Sequence, residues 1–98
     1  MEATTEHLRI IPRLEEGSSI YKKIYYLIFK LLEEKEGLII LRRKRLYKLL
    51  QAPASACAYP IYKYTEYGLW EQSKYTQAIK IHPYHRERWE ELKKEVEE

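Results

Sequence analysis

Residues 41–70 read LRRKRLYKLLQAPASACAYPIYKYTEYGLW. Leu46, Leu49 and Leu50 recur at the spacing that turns one helical face inward, while Arg42, Arg43, Lys44, Arg45 and Lys48 point mostly outward. Gln51-Ala52-Pro53 makes a turn. Beyond it Cys57, Ile61, Tyr64 and Tyr67 fall four, three and three residues apart, the inward stripe of a second helix. Its other face carries Ser55, Ala58, Tyr59, Tyr62, Lys63 and Glu66. The stretch therefore reads as a basic helix over 42–50, a tight turn, and a Tyr-rich helix running into Tyr67. Pro60 complicates the second helix, because an interior proline loses a backbone hydrogen bond and costs about 3 kcal/mol. The expectation is a break near Cys57, with 54–56 as a separate turn and regular helix starting near Ala58.

Upstream, Ser18 or Ser19 can cap a helix over 20–36 that Gly37 closes. Ile20, Ile24, Leu27, Ile28, Leu31 and Leu32 form its buried stripe, with Tyr21, Tyr25 and Phe29 beside it. Such a wide apolar face serves either the core alone or the core and a second subunit. Leu38-Ile39-Ile40-Leu41 reads as a brief strand. Residues 1–17 hold Leu8, Ile10, Ile11 and Leu14 around Pro12, an extended arm that packs on the body or on a second subunit, with Arg9 and Arg13 either solvated or near phosphate. Downstream, Gly68-Leu69-Trp70 leads into a strand, Ser73-Lys74 is a hairpin tip, and 75–81 is a strand with Tyr75, Gln77, Ile79 and Ile81 on one face. After His82-Pro83 a last helix carries a thin apolar stripe of His85, Trp89, Leu92 and Val96, which docks on the body or pairs with its copy. The expected organisation is an arm over 1–17, a mixed domain over 18–83 and a C-terminal helix over 84–98. The fold class is α+β, mostly α.

Ninety-eight residues make one small domain that a partner subunit would help to stabilise. The single cysteine, Cys57, excludes an internal disulfide and a cysteine zinc site, and reads as a small buried hydrophobe. His7, His82 and His85 are too scattered for metal binding, so no metal or cofactor is expected. No run approaches the roughly 20 apolar residues of a membrane span, and the start MEATTEHLRI lacks the pattern of a signal peptide. A cytoplasmic protein is expected. Residues 1–83 carry 14 Lys and Arg against nine Glu, whereas 84–98 carry four against six, so the basic character belongs to the body. Asp and Asn are absent and Glu, Lys, Arg and Tyr abundant, a composition like that of thermophile proteins.

The order of helix, short strand, basic helix, turn, helix ending in Tyr67-Gly68-Leu69-Trp70, hairpin, Ile79-Lys80-Ile81-His82-Pro83 and final helix resembles the winged helix-turn-helix family of small prokaryotic DNA-binding regulators. The resemblance covers residues 20–98. Its general look is PadR-like and MarR-like, and archaeal plasmid segregation proteins of the AspA type are a closer match in kind. It implies that the third helix enters the major groove and the hairpin wing lies along the backbone or in the minor groove.

On that footing the small residues Ala54, Ser55, Ala56 and Ala58 let the helix approach the groove floor, and Tyr59, Tyr62 and Lys63 reach base edges or phosphates. Arg42, Arg43 and Arg45 clamp the backbone, with Lys74 and Lys80 on flanking phosphates. Five cations within 42–48 repel one another on a lone helix, and a phosphate backbone relieves that cost. The expected function is double-stranded DNA binding by a homodimer, as a transcriptional regulator or a plasmid partition factor, nucleoid- or plasmid-associated and able to spread or assemble further on DNA. The alternative is a winged-helix module whose basic face contacts an acidic protein. Single-stranded RNA binding through the tyrosines is a third reading. With no Asp, no glycine-rich phosphate loop and no Ser/His/acid set, an enzyme is not expected.

Overall fold

The computed structural model describes residues 19–73 and 75–97. The arm expected over 1–17, with Arg9 and Arg13, lies outside them, as does Lys74. Helix α1 (Ser19–Glu34) buries Tyr21, Ile24, Tyr25 and Ile28, with Leu27, Phe29, Leu31 and Leu32 half-buried beside them. The two stripes expected from sequence thus form one wide apolar face. The helix ends two residues earlier than expected: Lys35 N–H still donates to Leu31 C=O, but Gly37 then takes a φ of +76°. The Arg86 guanidinium donates to the carbonyls of Leu32 and Lys35, placing a cation where the helix dipole is negative.

Strand β1 (Ile39–Arg42) alternates as a half-buried strand must, with Ile39 and Leu41 inward and Ile40 and Arg42 outward. Leu38, expected within it, precedes it and is exposed. Helix α2 (Arg43–Leu50) follows without a loop. Leu46 and Leu50 are buried, whereas Leu49, expected inward, is 45 % exposed. With only eight residues the helix buries a single i, i+4 pair, and Leu49 falls to the side of that line. Gln51 then adopts φ +55°, with Gln51 N–H donating to Lys48 C=O and Ala52 N–H to Tyr47 C=O. This pair of bonds defines a Schellman turn, which closes the helix on a non-glycine residue.

Helix α3 (Ala54–Glu66) is continuous, which overturns the expected break near Cys57 and the separate turn over 54–56. The reason lies in where Pro60 points. It falls on the buried face with Cys57, Ile61 and Tyr64, so its ring fills core space and offsets part of the lost hydrogen bond. Ala56, whose carbonyl the missing N–H would have met, is an exposed residue. The helix ends in a second Schellman turn, with Leu69 N–H donating to Tyr64 C=O, Gly68 N–H donating to Thr65 C=O and Gly68 at φ +86°.

Strands β2 (Glu71–Gln72) and β3 (Ala78–Ile81) complete a three-stranded antiparallel sheet in the order β1-β3-β2. The strand expected over 75–81 begins only at Ala78. Gln77 sits at φ +51° and Tyr75 is 96 % exposed, so the intervening residues belong to the hairpin loop, which Ser73 N–H closes by donating to Ala78 C=O. Ile39 pairs with Ile81 and Leu41 with Ile79, all buried. A 3-10 turn over Pro83–His85 then leads into helix α4 (Arg86–Glu97). Trp89 and Leu92 are fully buried within this chain, so the thin stripe of α4 docks on the body. The result is a mostly helical α+β domain.

Three helices meet at one aromatic cluster, which Trp70, just before β2, completes. Tyr64 of α3 stacks on Trp89 of α4 with centroids 5.5 Å apart and planes at 15°, Trp70 lies 5.2 Å from Tyr64, and Phe29 of α1 meets Trp89 edge-on at 5.5 Å. Every polar handle in the cluster has a partner: Tyr64 OH donates to Tyr21 C=O (3.0 Å), Trp89 Nε1 to Leu69 C=O (2.8 Å) and Trp70 Nε1 to Thr65 Oγ1 (2.7 Å). Burial pushes the Tyr64 phenol pKa upward, keeping it a donor. Among the described residues no helix is long and apolar enough to cross a membrane. Replacing Trp89 by Ala empties the centre of this cluster and should lower the unfolding free energy by about 3–5 kcal/mol in urea denaturation.

Candidate nucleic-acid interface

At roughly 100° per residue, the buried residues Cys57, Pro60, Ile61 and Tyr64 set one side of α3, and Ser55, Tyr59, Tyr62 and Glu66 fall on the line opposite. Ala58 flanks that line on one side, Ala56 and Lys63 on the other. Ser55, Ala56 and Ala58 are exposed, and Tyr59 and Tyr62 leave about half of their surface in solvent, 53 % and 52 %. Five of the six α3 positions expected to face a ligand are therefore exposed, while the Lys63 side chain beside the two tyrosines keeps only 11 % of its surface in solvent. Their rings stand 6.4 Å apart, and Lys63 Nζ lies 5.4 Å from the Tyr59 ring and 5.7 Å from the Tyr62 ring.

Glu66, which sequence reasoning left out of the site, holds this group together. Its carboxylate accepts from Tyr62 OH at 2.9 Å and from Lys63 Nζ at 3.1 Å. The hydrogen bond to Glu66 raises the pKa of both the Tyr62 phenol and the Lys63 ammonium. The signal was present in the sequence: Glu66 follows Ser55, Tyr59 and Tyr62 at spacings of four, three and four.

The cations of α2 do not share a face. Arg42 is exposed at the end of β1, and Lys44 and Lys48 are exposed on the outward side of α2. Arg45 is also exposed but borders a shallow groove with Leu49, Ile40 and Leu31, away from the outward side. Arg43 turns inward: its guanidinium donates to Gln72 Oε1, and its buried Nε has no partner among the described residues. Lys44, Arg45 and Lys48 are thus exposed as expected, and Arg43 alone departs from the expected outward set, because it packs against the hairpin through Gln72. Lys80 lies in the central strand across from Glu71, and Tyr75 projects from the hairpin loop.

Arg43 and Gln72 belong to a network that fixes the hairpin to both helices. Thr65 Oγ1 donates to Ile61 C=O (2.8 Å) and accepts from Gln72 Nε2 (2.8 Å) and Trp70 Nε1 (2.7 Å). Arg43 N–H donates to Gln77 C=O (3.0 Å). One threonine hydroxyl thus joins α3, the hairpin and, through Gln72, the start of α2.

At the base of the hairpin Glu71 accepts from Tyr84 OH (2.5 Å), with His82 Nε2 at 3.5 Å and His85 Nε2 at 3.9 Å. His82 N–H donates to His85 Nδ1 (2.9 Å). The Tyr84 hydrogen bond, helped by the histidines, holds the Glu71 carboxyl below its usual range, and burial lowers the His85 pKa. Burial also pushes the Cys57 thiol up, which suits a packed and unreactive side chain. Among the described residues no group of three or more His, Cys, Asp or Glu is placed to hold a metal ion. Compared with known proteins, the chain matches no family model, no curated protein and no solved structure.

Thr65→Val strands the Trp70 indole N–H and a Gln72 amide, and should lower stability by about 1–3 kcal/mol with the melting curve as readout. His85 and Glu71 both bind fewer protons folded than unfolded, so acid destabilises. The His85 contribution is complete above its ordinary pKa of 6.5 and is lost as pH falls through the lower folded value. That of Glu71 is complete above 4.5 and is lost below. The urea midpoint should start to fall below pH 6.5, and His85→Gln should remove that first part of the decline while leaving the more acidic part.

Proposed function

We propose that this chain is a winged-helix protein that binds double-stranded DNA as a homodimer, with α3 as the recognition helix and the β2–β3 hairpin as the wing. The observation that carries the reading is the exposed outward line of α3, tyrosines among small residues, on a helix joined to the hairpin by Thr65 and in a domain that also exposes the cations Arg42, Lys44 and Lys48. Small residues at the front of α3 allow close approach to a groove floor, tyrosines supply hydrogen-bonding tips, and flanking cations meet phosphates. The order of elements and the sheet order β1-β3-β2 are compatible with a winged helix. The resemblance to PadR-like, MarR-like and AspA-type proteins supports a regulator or a site-binding plasmid partition factor acting at the nucleoid or on a plasmid. Leu38, Ile40 and Leu49, exposed around β1, support the homodimer part of the reading, since such patches favour contact with another chain.

Footprint titration on the DNA flanking the coding region tests this. One protected inverted repeat of constant size means an operator-bound regulator, whereas protection that lengthens with concentration means a spreading, partition-type protein. For six to eight phosphate contacts per complex, the slope of log K against log salt should be about −5 to −7. Replacing Arg42, Lys44 and Lys48 together by Ala should weaken binding about tenfold or more and flatten that slope. Absence of protection at low salt counts against DNA and for a module that contacts acidic proteins.

A further inference from the structure

The sheet order β1-β3-β2 puts β1 at an edge, and the register says which of its backbone groups face outward. Arg43 N–H donates to Gln77 C=O, and the pairs Leu41 with Ile79 and Ile39 with Ile81 follow at two-residue steps, so these residues turn their amides toward β3. Ile40 lies between them and turns its N–H and C=O away from the sheet, where neither meets a backbone partner among the described residues.

The side chains along this edge do nothing to keep it solitary. Leu38, Ile39, Ile40 and Leu41 follow one another with no charge and no proline, two of the devices that stop an exposed edge from pairing. Leu38 and Ile40 are 46 % and 57 % exposed. A shallow groove runs beside the strand, walled by Leu31 and Glu34 of α1 and by Arg45 and Leu49 of α2, so the edge is open to another chain.

We propose that the homodimer forms edge to edge at β1, antiparallel about a twofold axis through Ile40, joining two three-stranded sheets into one. The proposal rests on the homodimer part of the reading above and is independent of its DNA part. The strand is self-complementary in this register, as a twofold interface requires. Ile40 meets its copy, exchanging two backbone hydrogen bonds, and Arg42 falls opposite Leu38 of the other chain, where its aliphatic stem covers a leucine. A register centred on Arg42 would instead set two guanidiniums face to face. Antiparallel pairing also brings the start of the strand, which α1 enters, beside the end of the copy, from which α2 leaves. Glu34, exposed on α1, thus comes to the side of the exposed Arg45 of the other chain. Both hairpins lie at the outer ends of the joined sheet, clear of the contact.

Sedimentation equilibrium of the full chain and of Ile40→Glu tests this. Ile40 lies across from Lys80 of β3, so a glutamate there faces a cation within its own fold, whereas two of them oppose each other across the axis. The wild type should be a dimer, and Ile40→Glu should raise the dissociation constant about tenfold or more with an unchanged far-ultraviolet circular dichroism spectrum. A cross-link makes the second measurement, because directly opposed residues stand about 5.5 Å apart at Cα, a distance a disulfide spans. Cys57 is buried, so the introduced thiol is the reactive one: Ile40→Cys should be trapped as a covalent dimer under mild oxidation, and Ser55→Cys on α3 should not. If the wild type is a dimer but Ile40→Glu keeps its dissociation constant, or Ile40→Cys does not cross-link, the β1 contact is refuted while the homodimer reading stands. If the wild type is monomeric throughout, both fall together and the DNA reading is untouched.

Discussion

The stacking of Tyr64 on Trp89 is the contact on which the other packing depends. It brings the last turn of α3 against the first turn of α4, and Trp70 and Phe29 close around it from the β2 approach and from α1. Large rings carry most of the apolar area that a chain this short can bury. The cost of interring their polar atoms is met by two backbone carbonyls, those of Tyr21 and Leu69, and by the Thr65 hydroxyl. The backbone partners tie ring positions to the path of the chain itself, so α1 and the Schellman turn at Gly68 are positioned by the same contacts that fill the core.

Thr65 extends that order to the surface. Because its hydroxyl is shared by Trp70 and Gln72, the aromatic core and the hairpin are linked through one atom, and Gln72 passes the link to Arg43. The exposed face of α3 is therefore presented by a helix whose far side is fully packed. This is the condition for a surface that recognises its partner by geometry rather than by adaptation. The two faces of α2 divide the labour in a similar way: Leu46 and Leu50 anchor the helix, Arg43 braces the hairpin, and Lys44 and Lys48 stand in solvent.

The electrostatics of the surface are graded. Net positive charge lies in the body, while α3 carries its own internally neutralised pair, Lys63 with Glu66, between the tyrosines. The pair is half-buried, with the Lys63 side chain 11 % and the Glu66 side chain 26 % exposed, and the same carboxylate accepts from Tyr62 OH. At the other end of the hairpin Glu71 plays a comparable orienting part for Tyr84, His82 and His85, tying β2 to the start of α4.

The amino-acid sequence by itself determined the element order, the apolar stripes of α1, α3 and α4, both Schellman turns by position, and the grouping of Ser55, Tyr59 and Tyr62 on one face. These follow from periodicity and local backbone preference, which neighbouring residues alone can express. Tertiary structure decided the rest. Pro60 reads as a helix breaker on local grounds, yet it lies in continuous helix because its ring faces the core beside Cys57 and Ile61. Arg43 and Lys44 are adjacent and alike in charge, but only packing against the hairpin turns one inward and leaves the other exposed. Strand β3 begins at Ala78 because the partner strands β1 and β2 are short, and a strand extends only as far as it is paired. Glu66 looked like one more solvated charge until the helix brought Tyr62 and Lys63 onto its two oxygens. In each case the deciding partner is another side chain or strand whose position becomes defined only when the core closes.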